Sequence, residues 1–317
     1  MTTTLAQAVV TSPAPAPHRR RRTGAPYGFL APALVLFVAF FALPIGYAVY
    51  LSLRTVKVSG LGLGAGARTE VWAGLSNYAR SLSDPEFLAS VGRVGAYGLL
   101  VVPMMLGLAL LFALLLDSRR TRARGFSRVS IFLPYAVPAV ISSLLWGFLY
   151  LPAVSPFYYV FDAIGWDAPE VLSSRLVIFA VANIAVWGGV GFNMIVIYTA
   201  LKAIPTDLYE AAKLDGCTEV AIAWRIKIPI VVPSLIMTFV FSMIATLQVF
   251  AEPTTLKPLT NTISSTWTPL MKVYRDAFTR DDIYSAAATS VVIAAATFLL
   301  SFGFLRLMQN RAFSQEK

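Results

Sequence analysis

Ile204-Pro205-Thr206-Asp207-Leu208-Tyr209-Glu210-Ala211-Ala212-Lys213-Leu214-Asp215-Gly216, continued to Ile226-Lys227-Ile228-Pro229, is a polar island between two charge-free apolar runs, residues 176–201 and 228–251. Proline lacks an N–H and clashes with the preceding turn, so Pro205 stops the upstream helix. Thr206 or Asp207 then offers a cap for a new one. Residues 208–214 are good helix formers, and Gly216 suits the left-handed position that closes a helix. By helical spacing Leu208, Ala211, Ala212 and Cys217 share a face with Tyr209 at its edge, while Glu210, Lys213 and Asp215 lie elsewhere. A short helix with a small-residue face fits closely against something. On spacing alone that is either another protein or its own subunit.

The flanking runs set the class. The chain has 317 residues, 57% hydrophobic and 13% charged, with a mean hydropathy of +0.69. Soluble domains carry about 25% charged residues, so this is a membrane protein. Charge-free stretches at 28–53, 94–116, 129–161, 176–201, 228–251 and 283–305 each exceed the roughly 20 residues that a hydrocarbon core requires. Pro152 and Pro156 break the long third run, so its helix is expected to end near Tyr150, leaving an aromatic interfacial remainder at 151–159. The expected architecture is all-α, with spans at 28–53, 92–116, 129–150, 175–201, 229–252 and 283–306 and a loop at 202–228.

Net charge is +10, but the basic residues cluster in short loops beside apolar runs, which points to membrane topology rather than nucleic acid. Counting Lys and Arg gives 4 in the N-terminal tail, 5 in loop 117–128, 4 in loop 202–228 and 3 at the C-terminus, hence 16 of the 26 on one side. The positive-inside rule places both termini and the 202–228 loop in the cytoplasm. Residues 1–27, with alternating Pro and Ala and then Arg19–Arg22, read as a disordered cytoplasmic tail, and 309–317 as a C-terminal tail. The 26-residue uncharged run that follows the arginines is too long for a signal-peptide core and reads as an uncleaved span. The glycine-rich stretch 60–66 follows no βαβ context and reads as a flexible external loop. The Asp84-Pro85 pair starts a helix returning to the membrane. The last external segment, 253–282, is expected to be irregular.

Some chemistry is excluded by the residues present. Cys217 is the sole cysteine and His18 the sole histidine, which leaves no metal set and no histidine acid–base pair. The span interiors hold no Asp, Glu, Lys or Arg, against the ionisable relays of ion-coupled transporters. No G-x-x-x-x-G-K-[ST] loop is present, so ATP is not held here. The polar groups left in the spans are amides, hydroxyls and aromatics, which suit neutral polyhydroxyl ligands.

Glu210-Ala211-Ala212, three residues, Gly216, nine residues, then Ile226-Lys227-Ile228-Pro229 resembles the signature loop of the membrane subunits of bacterial ABC importers. That motif usually ends Ile-x-Leu-Pro, and Ile228 departs from it. Ala203-Ile204-Pro205, Leu208-Tyr209, Gly74-Leu75-Ser76-Asn77-Tyr78, Asp84-Pro85-Glu86-Phe87 and Phe132-Leu133-Pro134 narrow the resemblance to the carbohydrate branch, over about residues 28–308. It implies a type I ABC importer permease with six spans. Its cytoplasmic coupling helix would act through Glu210, Ala211, Ala212 and Gly216. It implies a substrate pathway on the fourth and fifth spans, where Trp187, Gly189, Phe192, Asn193, Thr246 and Gln248 are the candidates. Glycines there serve equally for close helix packing, and Pro134 and Pro138 are expected to give a plain kink. It also implies a multi-pass bacterial cell-membrane location and a second permease as heterodimer partner. Two ATP-binding cassette subunits would hold ATP and Mg, and an extracytoplasmic sugar-binding protein would deliver the solute. No cofactor and no nucleic acid belong to this chain, which catalyses no reaction and meets membrane lipid. The expected solute is a carbohydrate, most simply an oligosaccharide. The alternatives are a permease for a polyol or glycerol phosphodiester and a stand-alone secondary transporter.

Overall fold

The computed structural model describes residues 25–58, 68–118 and 121–312. The Arg19–Arg22 tail with His18, the 60–66 glycine stretch, Arg119, Arg120 and residues 313–317 lie outside them. The chain divides into two units at Tyr47 and Ala48.

In the first unit, α1 (Ala25–Phe37) passes through a π-helical turn, Val38–Ala42, into α2 (Leu43–Ser52), whose end belongs to the second unit. The apolar side chains from Tyr27 to Tyr47 are exposed on all sides. A helix that is hydrophobic all round and satisfies its own backbone belongs in lipid.

The second unit opens with a hairpin, β1 (Arg54–Val58) against β2 (Arg68–Trp72), antiparallel with Arg54 opposite Trp72 and Val58 opposite Arg68. Nothing in the sequence reading anticipated these strands. α3 (Ser76–Ser83) follows, and its buried Asn77 donates to the carbonyls of Ser52 (2.9 Å) and Arg54 (2.7 Å), satisfying backbone where α2 turns into the hairpin. α4 (Pro85–Asp117) starts where expected, with the Asp84 side chain accepting from the Glu86 N–H.

The third apolar stretch is not one kinked helix. α5 (Arg124–Phe132) ends in a 3-10 turn, Leu133–Ala136, and α6 (Ala139–Tyr150) leaves at 98°. Pro134 sits at the start of the turn and Pro138 caps α6, so neither residue can continue the ladder. α7 (Pro156–Ala163) lies in the stretch after Tyr150.

α8 (Val177–Lys202) leads to the polar island, which contains α9 (Thr206–Leu214) and α10 (Glu219–Ile222). A π turn, Ala223–Lys227, then enters α11 (Ile228–Leu247). The last loop segment is not irregular: it forms α12 (Ala251–Leu256), a 3-10 turn and α13 (Pro269–Phe278) before α14 (Ile283–Ala312). Five described passes are long and apolar enough to cross a membrane, and counting the bent α5–α6 pair as one gives six.

The core is the α4–α8 pair crossed by α11. Val94, Tyr97, Val101, Met105, Ala109 and Ala113 recur at helical spacing on α4 and are all buried, facing Val181, Ile184, Met194 and Ile197 of α8. The other flanks of these passes carry exposed Leu and Phe, as lipid contact requires.

Candidate functional site

A cavity of about 980 Å³ lies between α4, the α5–α6 break, α8 and α11. Its position follows from the break: the 3-10 turn places Tyr135 in the wall, where its ring stacks on Phe192 of α8 (centroids 5.0 Å apart, planes at 21°). α8 comes close enough for this because of Gly191. A Cβ at that position would overlap the Ile131 carbonyl oxygen and the Phe132 Cα. The expectation that glycines here serve close packing is met at that residue.

Asn193 is buried at the centre of the cavity's polar patch. Its Nδ2 donates to the Gly189 carbonyl at 3.0 Å and to the Met105 sulfur at 3.1 Å, and its Oδ1 accepts from Ser242 of α11 at 3.5 Å. Thr246 and Gln248 line the same space from α11 and its end, and Ser142 from α6. Of the six pathway candidates, Gly189, Phe192, Asn193, Thr246 and Gln248 therefore share one cavity. Trp187 does not: it packs edge-on against Trp146, centroids 6.0 Å apart, and is not part of the wall.

Sequence reasoning missed Glu252, which lines the cavity from α12. It stands one residue beyond the charge-free run that ends at Ala251, and that adjacency was the available signal. No Lys, Arg or His belongs to the wall, and among the described residues no cation lies within ion-pair distance of Glu252.

The second site is the polar island. α9 begins at Thr206 after Pro205, and neither Thr206 nor Asp207 caps it by a side-chain hydrogen bond. Its other end closes on Gly216, at φ +79°. The Gly216 N–H donates to the Lys213 carbonyl (3.0 Å) and the Cys217 N–H to the Ala212 carbonyl (2.9 Å), the paired bonds of a Schellman cap. The expected common face divides. Ala212 is buried and Tyr209 half-buried against the chain's own core, whereas Leu208, Ala211 and Glu210 are exposed and Leu214 is 90% exposed. The helix therefore packs on its own subunit by one side and leaves an apolar side open.

Under α9 sits Asp117, the last residue of α4, side chain 5% exposed. Lys202 at the end of α8 pairs with its Oδ1 at 2.8 Å, and Lys227 just before α11 with its Oδ2 at 2.6 Å. The Lys227 ammonium also lies 4.9 Å from the centroid of the Tyr209 ring. Burial, with the Asp117 charge adding to it, pushes the Tyr209 hydroxyl up to about 12.

A chain with six apolar passes, a central cavity and an ordered polar loop matches one protein family. The family described as "Binding-protein-dependent transport system inner membrane component" covers residues 105–315. The chain belongs to that family. The sn-glycerol-3-phosphate transport system permease protein UgpA of Agrobacterium fabrum is 30% identical to this permease over 292 residues, 90% of this chain and 95% of that protein. Its Salmonella typhimurium counterpart is 29% identical over 290 residues, covering 90% and 94%. Among solved structures, a bacterial ABC transporter involved in the import of the acidic polysaccharide alginate matches with a TM-score of 0.75. The two chains are 20% identical, and the match spans 90% of this permease and 95% of that chain. A bacterial alginate ABC transporter in complex with an alginate pentasaccharide-bound periplasmic protein gives 0.75 at 19%, covering 91% and 95%. These structures share the permease fold.

Within this inner-membrane permease the two sites lie on the same three helices. α4, α8 and α11 carry the cavity wall partway along their length and meet at Asp117, Lys202 and Lys227 where they reach the loop.

Proposed function

We propose that this permease conducts a neutral carbohydrate inward, driven by ATP hydrolysed in partner chains that dock on α9. The substrate reading rests on the cavity. Its polar side chains are the amides of Asn193 and Gln248, the hydroxyls of Ser142, Ser242, Thr246, Tyr97 and Tyr135, and the carboxyl group of Glu252. Amides and hydroxyls exchange hydrogen bonds with sugar hydroxyls, the carboxyl group accepts them, and aromatic faces such as Phe192 cover the apolar side of a ring. The polar island, both termini and loop 117–128 face the cytoplasm in this reading, a second related permease completes the pathway, two ATPase subunits lie beneath, and an extracytoplasmic binding protein delivers the solute.

A second reading, import of a glycerol phosphate, is favoured by the names of the UgpA relatives. An anion in a low-dielectric cavity needs a cation or several N–H donors. This wall has no cation, the Asn193 Nδ2 already donates to Gly189 and Met105, and the one ionisable acid, Glu252, offers an anion nothing, so the neutral solute is preferred. Uptake by cells carrying the whole transporter decides between them. ATP-dependent accumulation of radiolabelled maltotriose over sn-glycerol-3-phosphate, reduced at least tenfold by Asn193→Ala, supports the neutral reading. The opposite order of the two solutes sinks it.

The docking reading is supported by the exposed apolar side of α9. Gly216→Val puts a β-branched residue at φ +79°, at a cost of about 1–2 kcal/mol, and loosens the Schellman end. The ATPase should co-purify poorly with this variant while the spans insert normally. Full retention with normal stimulated hydrolysis refutes the docking assignment.

A further inference from the structure

We propose that Asp117 is a positioning residue for energy coupling. It clamps both ends of the 202–228 loop to the end of α4, so that α9 moves with the cavity-lining helices as one body. This rests on reading α9 as the ATPase-facing helix. A helix of 9 residues joined to the bundle by linkers at each end would absorb a push by bending those linkers. Here the two places where the loop joins the bundle are fastened to a single carboxylate. Lys202 takes one oxygen at 2.8 Å and Lys227 the other at 2.6 Å, from sequence positions 85 and 110 residues away.

α9 itself is tied in from above. Tyr209 lays its ring 4.9 Å from the Lys227 ammonium and packs on the core beneath. The Lys227 and Asp117 side chains are 8% and 5% exposed, and Lys202, at 47%, is the looser arm on the same buried carboxylate. Separating a pair that is so removed from water strands a buried charge, which makes the contact stiff. The Lys213–Glu219 pair at the outer end of the loop is 40% and 45% exposed, and pairs of that kind hold little. The stiff fastening formed by Asp117 and Lys227 is thus on the bundle side. A displacement applied to Leu208 and Leu214 is delivered together to the ends of α4, α8 and α11, the helices that bear Met105, Asn193 and Thr246 in the cavity.

A purely structural role for Asp117 would be to neutralise Lys227. Asp117→Asn combined with Lys227→Met removes one charge of each sign and separates the two roles. The whole transporter, with its ATPases, is reconstituted in nanodiscs on a Cys217→Ser background. Spin labels are placed at Leu115→Cys on α4 and Leu214→Cys on α9, both exposed positions, and MgATP with vanadate is the probe. With Asp117 present, the label distance should stay narrow and constant within about 2 Å on nucleotide binding, the size of an ordinary helix shift. In the double variant it should broaden or shift beyond that while the melting temperature stays near wild type, and Asp117→Glu should keep it narrow. A wild-type distance that itself changes with nucleotide overturns the clamp, as does a double variant with the wild-type distance. Should the double variant not assemble, Lys202→Met decides: it cuts one half-exposed arm, broadening is expected, and an unchanged distribution overturns the proposal. A wild-type complex that does not hold its ATPase sinks the docking reading together with the clamp. A nucleotide-responsive complex with an unaffected double variant sinks the clamp alone.

Discussion

The two ends of the helix bundle are both fastened by buried ions, but in different ways. At the loop end one carboxylate, Asp117, serves two cations, Lys202 and Lys227, and the group carries a net positive charge. At the opposite end, α13 is bound to the start of α4 by three acids and three bases. Asp276 takes Lys272 at 2.5 Å, Arg275 at 2.8 Å and Arg280 at 3.7 Å. Lys272 reaches Asp84 at 3.0 Å, and Arg275 reaches Glu86 at 2.8 Å. The first arrangement has a single hub, and one substitution releases everything attached to it. The second is balanced and redundant around its rim, so it holds a cap in place whatever happens to an outer member. The difference suits an end that passes on movement and an end that resists it.

The largest expected effect lies at the centre of the redundant end. Asp276→Asn leaves Lys272, whose side chain is 3% exposed, and Arg275 short of their main partner. Removing one member of a buried pair costs about 3–5 kcal/mol. Thermal unfolding in detergent should drop more for this variant than for any rim substitution, and the protein that remains folded should transport normally per ATP hydrolysed. Impaired transport per ATP with little loss of stability would reverse the roles given to the two ends.

Between the ends, Gly191→Ala tests the shared waist. The added Cβ meets backbone, the Ile131 carbonyl and Phe132 Cα, rather than a flexible side chain. Overpacking of this kind costs roughly 1–3 kcal/mol, and the displaced turn would carry Tyr135 off Phe192. Lower stability accompanied by weaker solute uptake is expected. A variant that melts and transports as wild type would remove the waist from the comparison.

The local features of the loop were legible because they are written in neighbouring residues. Pro205 ends a helix, residues 208–214 continue as one and Gly216 turns it off, all within helical spacing. The clamp beneath was not legible, because its members are 85 and 110 residues apart and only packing brings them together. Five of the six pathway candidates line one cavity, and they were legible because small and polar residues in an apolar run stand out. Trp187 packs on Trp146 outside the cavity wall. α8 is apolar on every side, so periodicity gives no direction in which it faces. Pro134 and Pro138 announced a weakness in the third pass, but the size of the bend, 98°, and the close seating of the turn against Gly191 are set by packing between distant residues. The buried order of α13 was hidden by its charges, which look like surface until their partners on α4 are known.

A smaller effect is expected from pH at the redundant end. Burial pushes the Asp84 carboxyl up, but hydrogen bonds from Lys272 and from the Glu86 N–H outweigh it and hold the group below the usual carboxylate range. A carboxyl depressed by folding contributes stability that is fully present above its unfolded value of about 4 and is lost as pH falls through the folded one. The melting temperature should therefore fall on acidification below about pH 4, and Asp84→Asn should flatten part of that fall. An identical acid profile for the variant would place the acid-sensitive group elsewhere in the network.

The smallest effect separates redundancy from mere number of contacts. Glu86 touches Arg275 at 2.8 Å, yet its side chain is 48% exposed and Arg275 keeps Asp276 when it is removed. At the loop end Lys213 and Glu219 are closer still, at 2.7 Å, with 40% and 45% exposure. Water screens both pairs and ordering two long side chains offsets their attraction, so each is worth less than about 1 kcal/mol. Glu86→Gln and Lys213→Gln should accordingly shift the melting temperature slightly and by similar amounts, and the shifts should shrink in high salt. If Glu86→Gln instead destabilises the protein as much as Asp276→Asn, the network at that end has no spare members. It would then fail at a single point, as the Asp117 hub does, and the contrast between the two ends would disappear.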